Sequence, residues 1–338
     1  MFKKGFDMPI LCEKLLLNTF NDHFPFSFLR GYKVEPTLSP NKPQIYFNGS
    51  VKLNISISSV YYERILPLPN GDLVRGGRGS LIEIWDLQKG IIKKNLTSVY
   101  TNPWVFGLLS NGDLVAGYYN NKTLLVWDLK ITNGEPLKRI IQTNDTFYCM
   151  TVLKNDDLAI GQKGNGNDII IRDSQNGLIK KKLVGHSNWV YQIIELPNGN
   201  LVSCSPDKTV KVWNISNGAV IKSITHETYV RSIAFLPNGN LVSGLSDGKI
   251  NIWNLETNQL IRNLIGHSAD ICVDNCLHVL ANGDLLSGSW DKTIKVWNSS
   301  DGTVKFTSPL QKDFVIQLAV LPSGNFISSS RYELIVWN

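Results

Sequence analysis

In Val210-Lys211-Val212-Trp213 apolar side chains alternate with a polar one, the period of two expected of a strand with unlike faces. Seven times along the chain an aliphatic run of this kind ends in a tryptophan followed by Asp or Asn, or in a remnant of that pair. The anchors are Trp85-Asp86, Trp127-Asp128, Arg172-Asp173, Trp213-Asn214, Trp253-Asn254, Trp297-Asn298 and Trp337-Asn338, spaced 40 to 45 residues apart. Before each anchor stands Asn-Gly-Asp/Asn-Leu or a close variant, beginning at Asn70, Asn111, Asn155, Asn198, Asn238, Asn282 and Ser323. Asn-Gly takes positive φ at little cost, so each copy predicts a tight hairpin. Each repeat therefore reads as four short strands, expected in the fourth repeat near 190–196, 201–204, 210–213 and 219–224.

Repeats of this length built from short strands predict an all-β fold, a β-propeller of seven four-stranded antiparallel blades. The two markers, agreeing seven times, resemble the WD-repeat family. The seventh repeat stops after its third strand, and Asn48–Ile55 matches the fourth-strand stretch Asn217–Ile224 almost position for position. Residues 48–57 are therefore expected to close the ring as the outer strand of the last blade, as is usual in this family. The propeller is placed at residues 45–338, with residues 1–44 outside it as an N-terminal extension. In that extension Ile10, Leu11, Lys14, Leu15, Leu17 and Phe20 predict a short helix, and Pro25, Pro36, Pro40 and Pro43 break the remainder into extended or turn conformation. In the third repeat, Gly161–Asn167 is expected to form a longer loop than its counterparts.

A chain of 338 residues, 43% hydrophobic and 18% charged, can bury a large core. No apolar run reaches the roughly 20 residues of a membrane helix, and no secretory leader is recognised, so an intracellular protein of the cytoplasm or nucleus is expected. Five scattered cysteines make no disulfide framework and read as small core residues. Cys272 and Cys276 are four apart, but no second Cys or His pair has zinc-like spacing, so no metal site is expected. The net charge of +6 admits a nucleic-acid partner. Its lysines weaken that reading, because Lys93, Lys94, Lys180–Lys182, Lys222 and Lys305 fall on outermost strands, where exposed lysine blocks edge-to-edge pairing.

The resemblance implies a buried hydrogen-bonded chain of His, Ser or Thr, Asp and Trp within a blade. Three repeats retain it: His186, Ser203, Asp207 and Trp213; His226, Ser243, Asp247 and Trp253; His267, Ser287, Asp291 and Trp297. Each aspartate lies six residues before its tryptophan and four after its serine. Ser, His and Asp together invite a catalytic-triad reading, but an active site needs one exposed nucleophile, whereas three repeated sets describe a structural device. The other repeats carry Gly79, Asn121, Gly166 and Arg331 at the aspartate position and should rely on apolar packing. Gly76-Gly77-Arg78-Gly79 is a hairpin turn, not a phosphate loop. No residue is nominated as catalytic and no cofactor is implied.

The informative face carries the loops that precede each first strand. Register puts Tyr61, Trp189, Tyr229 and Phe314 there at equivalent positions, with Trp104 close by and Arg231 near. The resemblance also marks the residue before the tetrad aspartate as a contact point, held here by Arg78, Asn120, Pro206, Ser246, Trp290 and Ser330. Rings with arginines beside them have the composition of interface hot spots. The expectation is a non-catalytic scaffold or adaptor, monomeric within a larger complex, that binds a peptide or protein on this top face. An RNA-binding module and a ubiquitin-ligase substrate receptor are the alternatives, and a propeller hydrolase ranks last. The arginine of the family's ligase-adaptor signature is absent, since Leu87-Gln88 and Leu129-Lys130 come after the two Trp-Asp pairs that the signature would extend.

Overall fold

The computed structural model describes residues 51–56, 64–77, 79–144, 146–164, 166–273 and 275–338. Their strands form seven four-stranded antiparallel sheets. Six sheets take four consecutive strands, and the seventh recruits Val51–Ser56 as its outer strand, with Val51 opposite Trp337 and Ser56 opposite Glu333. Inner strands of successive blades touch, and that of the seventh touches that of the first, so the ring is closed. In the fourth blade the strands are Gln192–Glu195, Leu201–Cys204, Thr209–Trp213 and Val220–Thr225. One 3-10 turn, Tyr119–Asn121, is the only helix among the described residues, and none there is long and apolar enough to cross a membrane. The extension at 1–44, with its expected helix, lies outside the described residues.

Both sequence markers act through an Asx turn, in which a side-chain oxygen accepts a backbone N–H two residues on. Asn111 Oδ1 accepts from Asp113 N at 2.9 Å while Gly112 sits at φ +87°, and Asn70, Asn155, Asn198, Asn238 and Asn282 do the same between first and second strands. After the third strand, Asp86, Asp128, Asp173, Asn214, Asn254 and Asn298 each accept from the residue two ahead, turning the chain into the outer strand. Middle strands are sandwiched between neighbouring blades and buried on both faces, as in Leu114–Tyr118 and Thr123–Trp127. Outer strands are largely exposed, with inward residues such as Ile224, Leu96, or Leu53 and Ile55 of the closing strand.

The outer-strand lysines do more than guard an edge. Lys93, Lys138, Lys180 and Lys305 reach the aspartate of their own blade's Asn-Gly-Asp or equivalent turn, at 2.6 to 2.8 Å. A second set crosses to the next blade: Lys94 donates to Ile131 O, Lys181 to Ser216 O, Lys222 to Leu255 O and Glu256 O, and Arg262 to Ser300 O and Asp301 O. One set of cations therefore ties the hairpins within a blade, and the other straps adjacent blades at the rim.

Cys149 and Cys204 are buried free thiols. Cys272 and Cys276 correct the reading of all five cysteines as small core residues, because they are joined as a disulfide with Cα atoms 5.5 Å apart. The cause is local: this repeat is longer between its histidine and serine, and the extra residues loop out before the inner strand begins at Leu277. That loop brings the two side chains together.

Candidate functional site

In the fourth blade His186 Nδ1 lies 2.7 Å from Asp207 Oδ2 and Nε2 lies 2.7 Å from Ser203 Oγ, which also accepts from Trp213 Nε1 at 2.8 Å. The sixth blade repeats this with His267, Asp291, Ser287 and Trp297 at 2.7 to 2.8 Å. An Nδ1–H donated to the aspartate and a serine O–H donated to Nε2 satisfy every member. Burial would raise the Asp207 and Asp291 carboxyls, but their hydrogen bonds to the histidines and threonines outweigh it and hold both well below the usual carboxylate range. Distances alone fit a Ser-His-Asp triad, yet both serines are fully buried with their oxygens already engaged by tryptophan, so no substrate carbonyl can reach them. Close packing also explains Gly266, where an added Cβ would sit 2.9 Å from the Trp297 ring.

The fifth blade departs from the pattern. His226 Nε2 meets Ser243 Oγ at 2.8 Å and Trp253 Nε1 donates to the same oxygen at 3.1 Å, but Asp247 has turned away to pair with Lys249 at 2.9 Å. In the intact sets a threonine, Thr209 or Thr293, donates to the aspartate at 2.6 Å and holds it toward the histidine, and Lys249 occupies that position here. Burial pushes His226 down to about 4. The unfolded chain, with histidine near 6.5, therefore binds a proton first as pH falls. Stability from the buried neutral ring is fully present above about 6.5, declines with acidification and is gone near the folded value of about 4, a loss of roughly 3 kcal/mol. His226→Gln should flatten the pH dependence of urea unfolding between pH 7 and 4.5. His278, lowered by burial in the same direction, contributes equally to both proteins. Identical slopes would contradict this account.

The seventh blade corrects the expectation that it lacks a polar chain. Trp337 Nε1 donates to Ser328 Oγ at 2.9 Å, and Gln311 Nε2, in the histidine's place, donates to that oxygen at 2.9 Å. Glu333, rather than Arg331, stands in for the aspartate and accepts from Lys312 N at 2.9 Å. Here the serine-to-tryptophan interval is nine residues instead of ten, so counting back from the tryptophan misplaces the partner. Elsewhere the tryptophan makes other arrangements. Trp85 Nε1 donates to Glu83, itself paired with Arg75, whereas buried Trp127 Nε1 has no partner and relies on packing.

The tetrads lie beneath the face formed by the loops from outer strand to next inner strand and from second to third strand. Tyr61 and Arg78 fall outside the described residues. Of the other sequence candidates, Trp104 donates through Nε1 to Tyr148 O at 3.0 Å and lies under Arg64, 4.9 Å from its centroid. Trp189 packs against Tyr148, with centroids 6.1 Å apart, and Tyr148 lies 5.1 Å from Tyr191. Arg231 sits among Tyr191, Tyr229 and Trp290 at 5.2 to 5.8 Å and is held by Asp270 at 2.6 Å. Trp290 stacks on half-exposed Phe314 at 6.0 Å. The structure thus joins Trp104, Trp189, Tyr229, Arg231, Trp290 and Phe314 into one arc across blades two to seven. Arg231 is buried, so it stiffens the arc from below rather than projecting from it.

Sequence reasoning missed Tyr119, Tyr148, Tyr191 and Lys163, although Tyr148 and Tyr191 stand seven residues before their turn asparagines, as Trp104 and Arg231 do, and Tyr119 and Lys163 stand five after their turn leucines, as Trp290 does. Counting back from the anchor hid the second pair, because the second and third repeats are longer before it. Lys163, in the long third-blade loop, places its ammonium 4.0 Å from the Trp189 centroid, 5.6 Å from Tyr148 and 5.7 Å from Tyr119. Burial pulls it below the ordinary lysine range. The loop is tied on both sides, Lys163 N donating to Thr146 O at 3.1 Å and Asn167 Nδ2 to Ser187 O at 3.0 Å.

The family model described as "WD domain, G-beta repeat" matches residues 177–214, 218–254 and 258–298. Those segments hold the three histidine-containing chains. The chain carries three WD repeats within a seven-bladed β-propeller. Its other four blades share the sheet topology without the full polar set. A solved WD40 propeller domain of Doa1 superposes with a TM-score of 0.71, covering 86% of this chain and 98% of that one at 20% identity, which speaks to the fold alone. Nuclear distribution protein nudF of Emericella nidulans is 27% identical over 194 residues, covering 50% of this chain and 42% of nudF. Ribosome biogenesis protein YTM1 of Scheffersomyces stipitis is 31% identical over 141 residues, covering 38% of this chain and 29% of YTM1. The matches therefore span less than half the length of these curated relatives.

Proposed function

We propose that this WD-repeat propeller is a non-catalytic intracellular scaffold or adaptor that binds a peptide or protein partner on its upper face. The observation that carries the reading is the continuous arc of half-buried rings from Trp104 to Phe314, stiffened by Arg64, Lys163 and Arg231. Rigid aromatic surface with little entropy to lose is what interface hot spots are made of. The serines of the tetrads are sealed off, which weighs against a hydrolase, and the rim cations are engaged in straps, which weighs against an RNA-binding side wall. The relatives are named for nuclear distribution and for ribosome biogenesis, so they suggest membership of assemblies without selecting a process.

Quantitative capture from native lysate should separate wild type from a Tyr229→Ala, Trp290→Ala variant of unchanged melting temperature. Partners lost only from the variant are the expected result. An identical partner set would move function off this face, and nuclease-sensitive capture would favour the RNA reading.

A further inference from the structure

The rings of Tyr119, Tyr148 and Trp189 come from three different blades and converge on one point, which the chain fills with its own Lys163 ammonium. Among the described residues no carboxylate pairs with that ammonium, so the rings supply its attraction. A primary ammonium is a poor occupant of such a site, because it has N–H groups to satisfy and aromatic faces replace its lost water only in part. A methylated ammonium keeps the charge, has fewer or no N–H groups and spreads its charge over methyls that pack on rings. Lys163 stands at the start of a loop with Gly164 and Gly166, just after the strand Leu158–Gln162, and its own backbone is fixed to Thr146 independently of where the side chain points. The side chain can therefore leave without unravelling the loop.

We propose that Tyr119, Tyr148 and Trp189 form a binding site for a methylated lysine of a partner protein, with Lys163 as an internal place-holder that the partner's side chain displaces. This rests on the upper-face reading and names the chemistry that one part of that face selects. An occupied site lowers apparent affinity by the fraction of time it is open. If Lys163 fills it about nine-tenths of the time, removing it raises affinity about tenfold.

The test titrates the full chain with Nα-acetyl-trimethyllysine amide, and in parallel with the unmethylated amide, monitoring tryptophan fluorescence and calorimetry. Lys163→Ala should bind the trimethylated probe about tenfold more tightly than wild type and prefer it to the unmethylated one. In that background, affinity should fall in the order Trp189, Trp189→Phe, Trp189→Leu at similar melting temperatures, the ranking of a ring that attracts a cation by its face. Equal affinity of Lys163→Ala and wild type, equal binding of the two probes, or insensitivity to residue 189 would each overturn the proposal. Such a failure, with capture still dependent on Tyr229 and Trp290, would leave the scaffold reading standing. Conversely, probe binding without that dependence would retain the cage and discard the wider arc.

Discussion

Replacing Leu53 and Ile55 by aspartate should destabilise the entire propeller, by more than about 4 kcal/mol, although both lie in a strand of only six residues. Their side chains are 3% and 5% exposed and pack with Leu73, Trp85, Ile327, Leu334 and Val336, so the cluster joins the last blade to the first. Burying two carboxylates there is impossible, and expelling the strand strips the backbone partners from Glu333–Trp337 and opens the seam. The matched control is Lys52→Asp with Ser56→Asp, on exposed positions of the same strand, which should melt near wild type. Urea unfolding of the three proteins decides the matter. If the inward pair unfolds at the wild-type midpoint, the strand does not hold the ring shut.

The second large effect separates two aspartates that look equivalent in sequence. Asp291 accepts from His267 Nδ1 at 2.8 Å, Ser268 N at 3.0 Å, Thr293 N at 2.9 Å and Thr293 Oγ1 at 2.6 Å. Asp291→Ala leaves those donors unanswered around a buried imidazole and should cost about 3 kcal/mol. Asp247→Ala removes only the pairing to Lys249 and should lie near the limit of measurement. The sign with pH is set by the depressed carboxyls of Asp207 and Asp291. Their contribution is present above the unfolded carboxylate value and is lost as pH falls through the lower folded one. Equal losses for the two alanine variants would mean that the aspartate in the fifth blade is engaged as it is in the sixth.

How much of the fold and the site is readable in the sequence depends on how local each feature is. The Asn-Gly turns and the Asx after the third strand act over two or three residues, so every copy is visible in the chain and the blades emerge from them. Closure is legible because Asn48–Ile55 imitates an outer strand found complete elsewhere. The orientation of Asp247 is not legible, since it turns on whether the residue two further on is threonine or lysine. Gln311 keeps the histidine's interval of 17 residues before the serine and escapes because it is not a histidine, while Glu333 lies five after Ser328 and four before Trp337, a position that neither the serine nor the tryptophan count points to. The arc is half visible. Trp189, Tyr229 and Phe314 share one register position and Tyr148 shares another with Trp104 and Arg231, but Tyr119 and Lys163 align with Trp290 only when counted forward from the turn leucine, because extra residues before their anchors shift the count made from the tryptophan. The disulfide is hidden in extra length that spacing records but cannot interpret.

The pairing of Val51–Ser56 with Glu333–Trp337 also sets an order of events during synthesis. The strand that completes the seventh blade leaves the ribosome among the earliest described segments, yet its partner is the last of them to emerge. Until that partner emerges it has no native neighbour, while six blades form behind it from contacts close in sequence. Ring closure is then the final, long-range step. Until it happens the nascent chain exposes an unfilled strand slot, the interval in which a chaperone, or the same segment of another copy, has its opportunity to bind.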